Sequence, residues 1–443
     1  MAKKGHSISM FTGALFIILA LSGCASMRRG GATTQPIVSS YIRTWPIPEI
    51  VRDGDNPYWT ADMIKGEYLT DLIIAFAVID PTDGTSINIP EYPDFDVWAE
   101  VAKLKEKYPN LRVHFSVGGG SLEGLEGFSK MAANPAMRTQ FIANICKWLE
   151  DYNLDGVDID WEYPVGADWD SYHFPQDRKN YISLLREIRN TTNQLGVKTG
   201  KHYILSVAIP ASWWFVEAND VRAAAKIVDY MKIMTYDYYG PWSSTTGHNA
   251  NIYNNPIDPA WGGWSTDQGL AVYFNDWIPM EKIILGVAFY GRGWTGVEPG
   301  PNPSIPGLYM PYKTAQAFNP DGALSYSEIK DLLKPDSGFT RYWDDTAKAP
   351  WLYNGDIMLS YTDPELIQQI TEFAKEKKVG GVFVWEYGHD MDGELIKNLY
   401  EDMQKPYEDT QQQYENIQQP NEATPPVYTP VNSQVLPYSE IRP

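Results

Sequence analysis

Eight short apolar runs recur along the chain between residues 36 and 403, and helical segments separate most of them. Each run is continuous in apolar residues, which is typical of strands that are buried on both faces of a parallel sheet. Strands that alternate with helices in this way predict an α/β protein, a (β/α)8 barrel of the TIM type. The predicted strands begin with IVSSYIRTW and continue at residues 71–80, 112–120, 155–162, 203–210, 228–238, 282–291 and 380–388.

The connection between the seventh and eighth strands is much longer than the others. It holds about ninety residues, whereas a helix with its loops needs about two dozen. Residues 364–378 account for one helix, and the Gly/Pro-rich stretch 293–358 predicts a small α+β insertion domain. Because such connections leave the barrel at the carboxyl ends of the strands, we expect the insertion to form one wall of a site there. The catalytic barrel would then comprise residues 36–292 and 359–403.

The beginning of the chain has the features of an export signal. Lys3 and Lys4 precede an apolar run that is too short to span a membrane. The run ends in LSGC, which resembles the lipobox of bacterial lipoproteins and predicts lipidation of Cys24. Residues 1–24 would be a lipoprotein signal peptide and 25–35 a tether, so the protein would be exported and lipid-anchored in the cell envelope, at the bacterial outer membrane or the cell surface. An ordinary signal peptide that is cleaved near a chance cysteine is the alternative.

The composition restricts the class of ligand. The net charge of −20 argues against nucleic acid and against electrostatic attachment to anionic lipid. The chain has 16 Trp and 29 Tyr, and such flat rings favour a carbohydrate groove. The six histidines show no metal-ligand spacing, so we expect neither a metal nor another cofactor. The Gln/Pro-rich residues 404–443 predict a disordered tail, and we expect a monomer.

The stretch DGVDIDWE, residues 155–162, places acids in a run that otherwise has the pattern of a buried strand. In a strand, Asp158, Asp160 and Glu162 project from one face, about 6–7 Å apart, while the apolar residues between them face the helices. Confined like charges cannot all ionise easily, so at least one carboxyl pKa must rise. A carboxyl that stays protonated at neutral pH is what general acid catalysis needs.

Two other interpretations of the acidic row remain open. A spaced row of carboxylates on one strand can bind a divalent cation, although no His or Asn cluster on the other strands would complete its coordination shell. A solvated acidic edge strand is the second interpretation, and the alternating Val, Ile and Trp residues disfavour it. Neither interpretation explains why the acids fall on the fourth of eight predicted strands.

The acidic stretch resembles the DGxDxDxE signature of the glycoside hydrolase family 18 chitinases. Other stretches resemble further motifs of that family and occur in the same order on the predicted strands, over about residues 38–403. The sequence YGRGW followed by an insertion is similar to the bacterial chitinase subgroup that carries an α+β insertion domain. The similar stretches are SVGG at 116–119, MTYDY at 234–238, the loop at 240–250, YGRGW at 290–294 and Trp385.

The resemblance implies a retaining mechanism in which the 2-acetamido group of the substrate is the nucleophile. Glu162 would protonate the glycosidic oxygen and later act as a base toward water. Asp160 would orient the acetamido N–H and stabilise the oxazolinium intermediate, and Asp158 would share a proton with Asp160. Tyr236 would form a hydrogen bond with the acetamido carbonyl. These four residues are the implied catalytic set.

The resemblance also implies a set of substrate-binding residues. Trp385 would lie under the sugar next to the scissile bond, and Ser116 would form a hydrogen bond with Asp158. Other tryptophans are candidates for stacking on more distant sugars, namely Trp98, Trp213, Trp214, Trp261 and Trp264. The implied substrate-binding set is Trp385, Asp237, Met234, Arg292, Tyr41, Phe76, Ser116, Gly118, Gly119 and Trp242.

The resulting prediction is a lipid-anchored, endo-acting hydrolase of β-1,4-linked N-acetylglucosamine polymers such as chitin and chitooligosaccharides. One alternative keeps the chemistry and changes the substrate to N-glycan cores or peptidoglycan. Another alternative is a non-catalytic, chitin-binding lectin-like barrel, although such barrels typically lack the acid at the position of Glu162. The expected partners are therefore N-acetylglucosamine oligosaccharides and, through the lipid, a membrane.

Overall fold

The structure is a computed structural model that describes residues 35–48, 57–92, 94–125, 127–166, 174–259, 264–319 and 322–406. The predicted signal peptide with Cys24, the tether up to residue 34 and the tail beyond residue 406 lie outside these ranges. In the described ranges, no helix combines the length and the apolar character that a membrane span requires.

The described residues contain a closed parallel barrel and a separate antiparallel sheet. The strands are β1 (Ile37–Arg43), β2 (Asp71–Ile79), β3 (Ile87–Asn88), β4 (Arg112–Gly118), β5 (Gly156–Asp160), β6 (Ile204–Pro210), β7 (Tyr230–Met234), β8 (Ile283–Ala288), β9 (Tyr290–Trp294), β10 (Ala323–Ser325), β11 (Thr340–Asp344), β12 (Ala349–Tyr353), β13 (Met358–Ser360) and β14 (Gly381–Trp385). Strands β1, β2, β4 to β8 and β14 pair in parallel, and β1 pairs with both β2 and β14 to close the ring. The predicted (β/α)8 barrel is confirmed.

Helices follow most of the barrel strands and cover the outside of the ring. They are α1 (Val97–Lys107), α2 (Leu122–Leu125), α3 (Phe128–Ala133), α4 (Pro135–Asp151), α5 (Asp177–Thr199), α6 (Trp213–Ala218), α7 (Val221–Ala225), α8 (Thr266–Asn275), α9 (Tyr326–Leu332), α10 (Pro364–Glu376) and α11 (Glu394–Gln404). Local sequence fixes where several begin. Asn134 and Asp363 cap α4 and α10, each followed by a proline in the first turn, and both features satisfy or remove backbone N–H groups that lack a partner within the helix.

The alternation of side chains along each strand separates an outer core from the barrel interior. Val157 and Ile159 are fully buried on the outer face of β5, and the Trp161 ring beyond them stacks on Phe128 of α3 at 5.0 Å. A smaller cluster fills the interior, comprising Ile37, Tyr41, Ile73, Ala75, Ile284 and Phe383. The acidic residues of β5 therefore point into the enclosed interior, and the apolar residues hold the surrounding helices.

The antiparallel sheet lies between β8 and β14 along the chain and has the order β10-β9-β13-β12-β11. It begins at Tyr290, so the run predicted as one strand over 282–291 is divided between the barrel and this sheet. The division occurs because the Phe289 N–H donates to the Trp385 carbonyl at 2.9 Å, whereas Tyr290 pairs with Ser325 in the antiparallel sheet. The insertion is thus joined directly to the carboxyl end of the barrel.

Asp344 connects the insertion to the long loop after β7. The buried carboxylate accepts hydrogen bonds from Asn255 at 2.7 Å and from the backbone N–H groups of Thr346 and Ala347. His248 Nε2 lies 3.2 Å from the same group. Burial alone would raise the pKa of Asp344, but the hydrogen bond and charge of His248, with the other donors, lower it to about 2. The carboxylate is therefore ionised and anchors the loop.

Replacing Asp344 by Ala should destabilise the fold by about 2–4 kcal/mol, because buried donors on two segments lose their acceptor. Thermal or denaturant unfolding measures this change. Asp345→Ala is the matched control, since the Asp345 side chain is 90% exposed and its loss should change the free energy of unfolding by about 0.5 kcal/mol or less. Equal effects of the two substitutions would contradict the anchoring role of Asp344.

Candidate active site

The acidic row of β5 leads from the barrel interior to its open end. Asp158 is fully buried, Asp160 is 4% exposed, and Glu162 follows immediately after the strand ends at Asp160. Each acid is one step nearer to solvent than the one before. The three carboxyl groups therefore have very different surroundings, although they lie on one face of one strand.

Asp158 is held by donors from four other strands. Its Oδ1 accepts from the Ser206 hydroxyl at 2.5 Å and from Lys232 Nζ at 2.7 Å. Its Oδ2 accepts from the hydroxyls of Tyr41 and Ser116, each at 2.8 Å. Burial alone would raise the pKa of Asp158, but the positive charge of Lys232 and these hydrogen bonds lower it. Asp158 is therefore an ionised carboxylate with four donors around it.

The pKa values of Asp160 and Glu162 shift in the opposite direction to that of Asp158. Burial raises the pKa of Asp160 well above its ordinary value, and the nearby charges of Glu162 and Asp158 raise it further. Burial also raises the pKa of Glu162 to about 7, with a contribution from the charge of Asp237, although a hydrogen bond from Tyr163 opposes the shift. These shifts favour the protonated form of Asp160, and at neutral pH Glu162 is divided between its acid and its carboxylate.

Residues after β7 and on β9 form the side of the site that faces Glu162. Asp237 Oδ1 accepts hydrogen bonds from the Tyr290 hydroxyl and from Arg292 Nε, both at 2.7 Å. The guanidinium carbon of Arg292 lies 4.9 Å from the centre of the Trp242 ring, a cation–π distance. The ring of Tyr236 lies between those of Tyr290 and Phe383, at 6.3 and 6.1 Å. The insertion sheet thus positions side chains of the loop that follows β7.

The glycines of the SVGG motif are required for steric reasons. Gly118 has a φ of +119°, and a Cβ there would lie 2.0 Å from the backbone oxygen of Asp160. Gly119 has a φ of +95°, and a Cβ there would lie 2.6 Å from the ring of Phe76. Positive φ values favour glycine. These two residues therefore let β4 approach the acidic strand and Phe76 without contributing a functional group of their own.

Aromatic rings form the floor of the site at the open end of the barrel. The Trp385 ring stacks on Phe76 with centroids 5.3 Å apart, and the Tyr41 ring meets Trp385 edge-on at 5.7 Å. Trp45, which follows β1, stacks on Phe76 at 6.2 Å. The sequence interpretation did not include Trp45, although an aromatic residue just beyond the carboxyl end of a barrel strand is a recognisable signal.

Two cavities meet at Glu162. One has a volume of about 720 Å³ and includes the aromatic floor with Trp385, Phe76 and Trp45. The other has a volume of about 910 Å³ and is lined by Trp214, Trp242 and Trp264, among other residues. Both are lined by Gly120, Glu162, Met234, Tyr236 and Asp237. Glu162 therefore lies within a continuous groove, with aromatic surface on either side.

Most of the implied site residues come together around this groove. Ser116 and Asp158 lie beneath it in the barrel interior, and Arg292 reaches it through Asp237 and Trp242. Trp98 instead stacks on Tyr152 at 4.1 Å between α1 and α4. Trp213 is 49% exposed and lines neither cavity. Trp261 lies outside the described residues.

Two polar residues of the interior were missed in the sequence interpretation. Lys232 and Ser206 both contact Asp158, and Lys232 Nζ also lies 2.6 Å from the Ser206 hydroxyl. The alternation of side chains on β7 could have placed Lys232 inside the barrel, because it lies two residues before Met234.

Among the described residues, no group of three or more His, Cys, Asp or Glu side chains is arranged to hold a metal ion.

Comparison with known proteins agrees with this geometry. Residues 41–390 match the family described as glycosyl hydrolases family 18. The chain belongs to this family. The match covers most of the barrel, the insertion and every residue of the groove described above, so the family resemblance noted in the sequence is confirmed.

Individual relatives and structures cover the same region. Chitinase A1 of Niallia circulans is 35% identical over 69% of this chain and 44% of its own length. A probable endochitinase of Caenorhabditis elegans is 33% identical over 82% of this chain and 58% of its own length. A chitinase structure from Bacillus thuringiensis superposes with a TM-score of 0.73 at 29% identity, covering 83% of this chain and 70% of the other. The chain thus spans about half the length of the first two relatives.

This family member combines a partly protonated Glu162 in the groove with the carboxylate of Asp158, which is fixed beneath the groove. A partly protonated Glu162 can donate a proton to a leaving oxygen and take one back later. The buried carboxyl of Asp160 can orient and stabilise a polar group of a bound sugar, while the aromatic floor contacts the apolar face of the ring. This arrangement is suited to cleavage of a glycosidic bond.

We expect Asp237→Asn to lower the pKa of Glu162, because the substitution removes the negative charge that adds to the effect of burial. A titration of ¹³C-labelled glutamate carboxyls by NMR measures the pKa, and loss of one signal in Glu162→Gln assigns it. Asp345→Asn is the control, since it removes the same charge from an exposed turn of the insertion. A Glu162 pKa that stays at about 7 in Asp237→Asn would refute the proposed interaction.

Proposed function

We propose that this protein is an endo-acting chitinase that hydrolyses β-1,4-linked N-acetylglucosamine polymers with retention of configuration. The observation that carries the proposal is the placement of Glu162, with its raised pKa, in the middle of an aromatic groove and directly above Asp160. Two relatives of this chain are named chitinase A1 and probable endochitinase. The family and the site chemistry therefore point to the same substrate class.

In the first step, Glu162 protonates the glycosidic oxygen while the bond from that oxygen to the sugar carbon C1 breaks. The acetamido oxygen of the same sugar forms a bond to C1, giving a cyclic oxazolinium ion, as in the substrate-assisted exceptions among retaining glycosidases. Asp160 is 4% exposed and lines the cavity of about 720 Å³ at a deeper level than Glu162, which suits contact with the acetamido group better than attack on C1. The Tyr236 hydroxyl contributes a hydrogen bond from the wall of the groove.

In the second step, water attacks C1 and Glu162 takes up the proton that the water releases. The oxazolinium ring opens, and the product keeps the original configuration because C1 has been inverted twice. Glu162 returns to its protonated form and is ready for another cycle. A pKa of about 7 suits both roles, since a group that titrates near the working pH can donate and accept a proton.

The endo mode of cleavage is supported by the groove itself. The two cavities of about 720 and 910 Å³ lie on either side of Glu162 and share five lining residues with each other. A polymer can therefore extend past the reacting bond in both directions, with Trp385 on one side and Trp242 on the other. N-glycan cores or peptidoglycan are the alternative substrates, and a lectin-like role is disfavoured by the presence of Glu162.

We also propose that the enzyme is a monomeric lipoprotein of the cell envelope that is anchored through Cys24. The proposal rests on the basic start, the short apolar run and the LSGC sequence. The catalytic barrel would then act at a membrane surface on a soluble or exposed polymer.

The full chain, purified in detergent, should cleave tetra-N-acetylchitotetraose mainly to the disaccharide, with products followed by mass spectrometry. Glu162→Gln should lower kcat by about 10²–10⁴-fold with little change in binding, because the general acid is lost and the shape is kept. Glu376→Gln is the control, since this side chain is 48% exposed and lies on an outer helix.

The products distinguish the alternatives. Release of the monosaccharide from the chain end would contradict the endo mode. A folded parent that leaves the tetrasaccharide intact but cuts N-glycan cores or peptidoglycan would refute the proposed substrate. A parent that binds the tetrasaccharide without cutting it would support the lectin-like alternative.

Lipidation can be tested with radiolabelled palmitate in a bacterial host. The full chain should carry the label and sediment with membranes, and Cys24→Ala should lose both properties. Cys146→Ala is the matched control, because Cys146 lies on α4 within the barrel domain and should not affect labelling. Labelling that persists in Cys24→Ala would refute this assignment.

A further inference from the structure

A buried ammonium group lies beside the carboxylate at the base of the acidic row. The side chains of Lys232 and Asp158 are 4% and 0% exposed, and Lys232 Nζ lies 2.7 Å from Asp158 Oδ1. The same ammonium lies 2.6 Å from the Ser206 hydroxyl and 5.4 Å from the centre of the Tyr41 ring. The contacts thus include an ion pair, a hydrogen bond and a cation–π interaction.

The other titratable groups around this pair come from every side of the barrel. Asp160 on β5 and Glu162 just after it lie above Asp158, Tyr41 lies on β1, and Tyr236 follows β7. Burial raises the pKa of Tyr181 on α5, and the charge of Asp158 raises it further. Nearer the amino end of the barrel, Asp71 contacts Arg112 and His114. Among these described residues, Lys232 is the cation in direct contact with the acidic row.

We propose that Lys232 is a positioning residue that keeps Asp158 ionised and so places the proton of the Asp158–Asp160 pair on Asp160. The inference rests on the proposed function, because it assigns a role within the same catalytic site. It differs from the expectation drawn from the family resemblance, in which Asp158 and Asp160 share that proton. Lys232 does not line the groove and has no contact with substrate in this assignment.

The donors around Asp158 disfavour a shared proton. Each oxygen of Asp158 accepts two hydrogen bonds, so a proton on either oxygen would displace a donor or reverse the hydrogen bond of a hydroxyl group. Asp160 has the opposite environment, because its Oδ1 is buried and has no hydrogen-bond partner among the described residues. A carboxyl without donors is more stable in its neutral form. The single proton therefore belongs on Asp160.

A proton fixed on Asp160 has a consequence for the reaction. When Glu162 gives its proton to the leaving oxygen, it becomes a carboxylate directly above Asp160. The O–H of Asp160 can then donate a hydrogen bond to Glu162, while the other oxygen of Asp160 accepts from the acetamido N–H. Lys232 and Asp158 form an ion pair without net charge. The two hydrogen bonds of Asp160 therefore form next to a neutral pair of groups and not next to a lone anion.

We expect Lys232→Met to move the acid limb of the kcat/KM profile to higher pH by about one unit or more, because Asp158 loses the charge that lowers its pKa. At neutral pH, kcat should fall by about tenfold or more while KM changes by less than about threefold, since Lys232 does not contact the substrate. Hydrolysis of a chromogenic chitotrioside by the full chain measures both quantities between pH 3 and pH 9.

Ser206→Ala is the matched control. It removes a neutral donor from the same Asp158 oxygen and keeps the ammonium, so the acid limb should move to higher pH by clearly less than it does in Lys232→Met, because the larger contributions of Lys232 to the lowered Asp158 pKa remain. A uniform loss of activity in Lys232→Met with an unchanged acid limb would overturn the proposal. If Lys232→Met does not fold, Lys232→Gln takes its place, because it keeps a donor and removes only the charge.

A second measurement does not depend on activity. In ¹³C NMR of aspartate-labelled parent protein, Asp158, assigned by Asp158→Asn, should stay ionised from pH 7 down to about pH 4, and it should titrate at higher pH in Lys232→Met. An Asp158 that titrates in this range in the parent would overturn the proposal. If the parent has no chitinase activity but Asp158 remains ionised, the proposed substrate fails and the role of Lys232 stands.

Discussion

The site depends on how a closed barrel compensates charge in its interior. Strand alternation forces Asp158 into the barrel interior, where it is fully buried and where an isolated carboxylate would be strongly unfavourable. Lys232 and three hydroxyl groups from other strands satisfy it instead. The ring must close in the correct register for these donors to meet, so the electrostatics of the site and the formation of the barrel are inseparable.

This compensation produces a gradient of protonation along one strand. Lys232 and the other donors outweigh burial and lower the pKa of Asp158, whereas burial and two neighbouring acids raise the pKa of Asp160. Glu162, at the mouth, has a pKa of about 7. Three chemically similar side chains therefore acquire three roles from their depth in the barrel, which is a recurring way to separate acid and base functions.

The insertion contributes to the site by supporting the loop after β7. Arg292 and Tyr290 of its first strand hold Asp237, and Arg292 also packs against Trp242. On the far side of the sheet, Asp344 binds the same loop through Asn255. The loop is thus fixed at two points. Trp242 of this loop lines the cavity of about 910 Å³ beside Glu162, so the same contacts hold one wall of that cavity in place.

The sequence by itself determined the eight strands, the long insertion and the common face of Asp158, Asp160 and Glu162, because these follow from local periodicity and from spacing along one strand. Only the tertiary structure decided which side chains of other strands contact that face. Lys232 lies 74 residues from Asp158, and periodicity gives the side of a strand but not the depth at which side chains of different strands meet. For the same reason Trp98, a stacking candidate in the sequence, packs between helices, whereas Trp45 reaches the groove. Contact between distant segments depends on the register of the closed ring, which no short stretch of sequence contains.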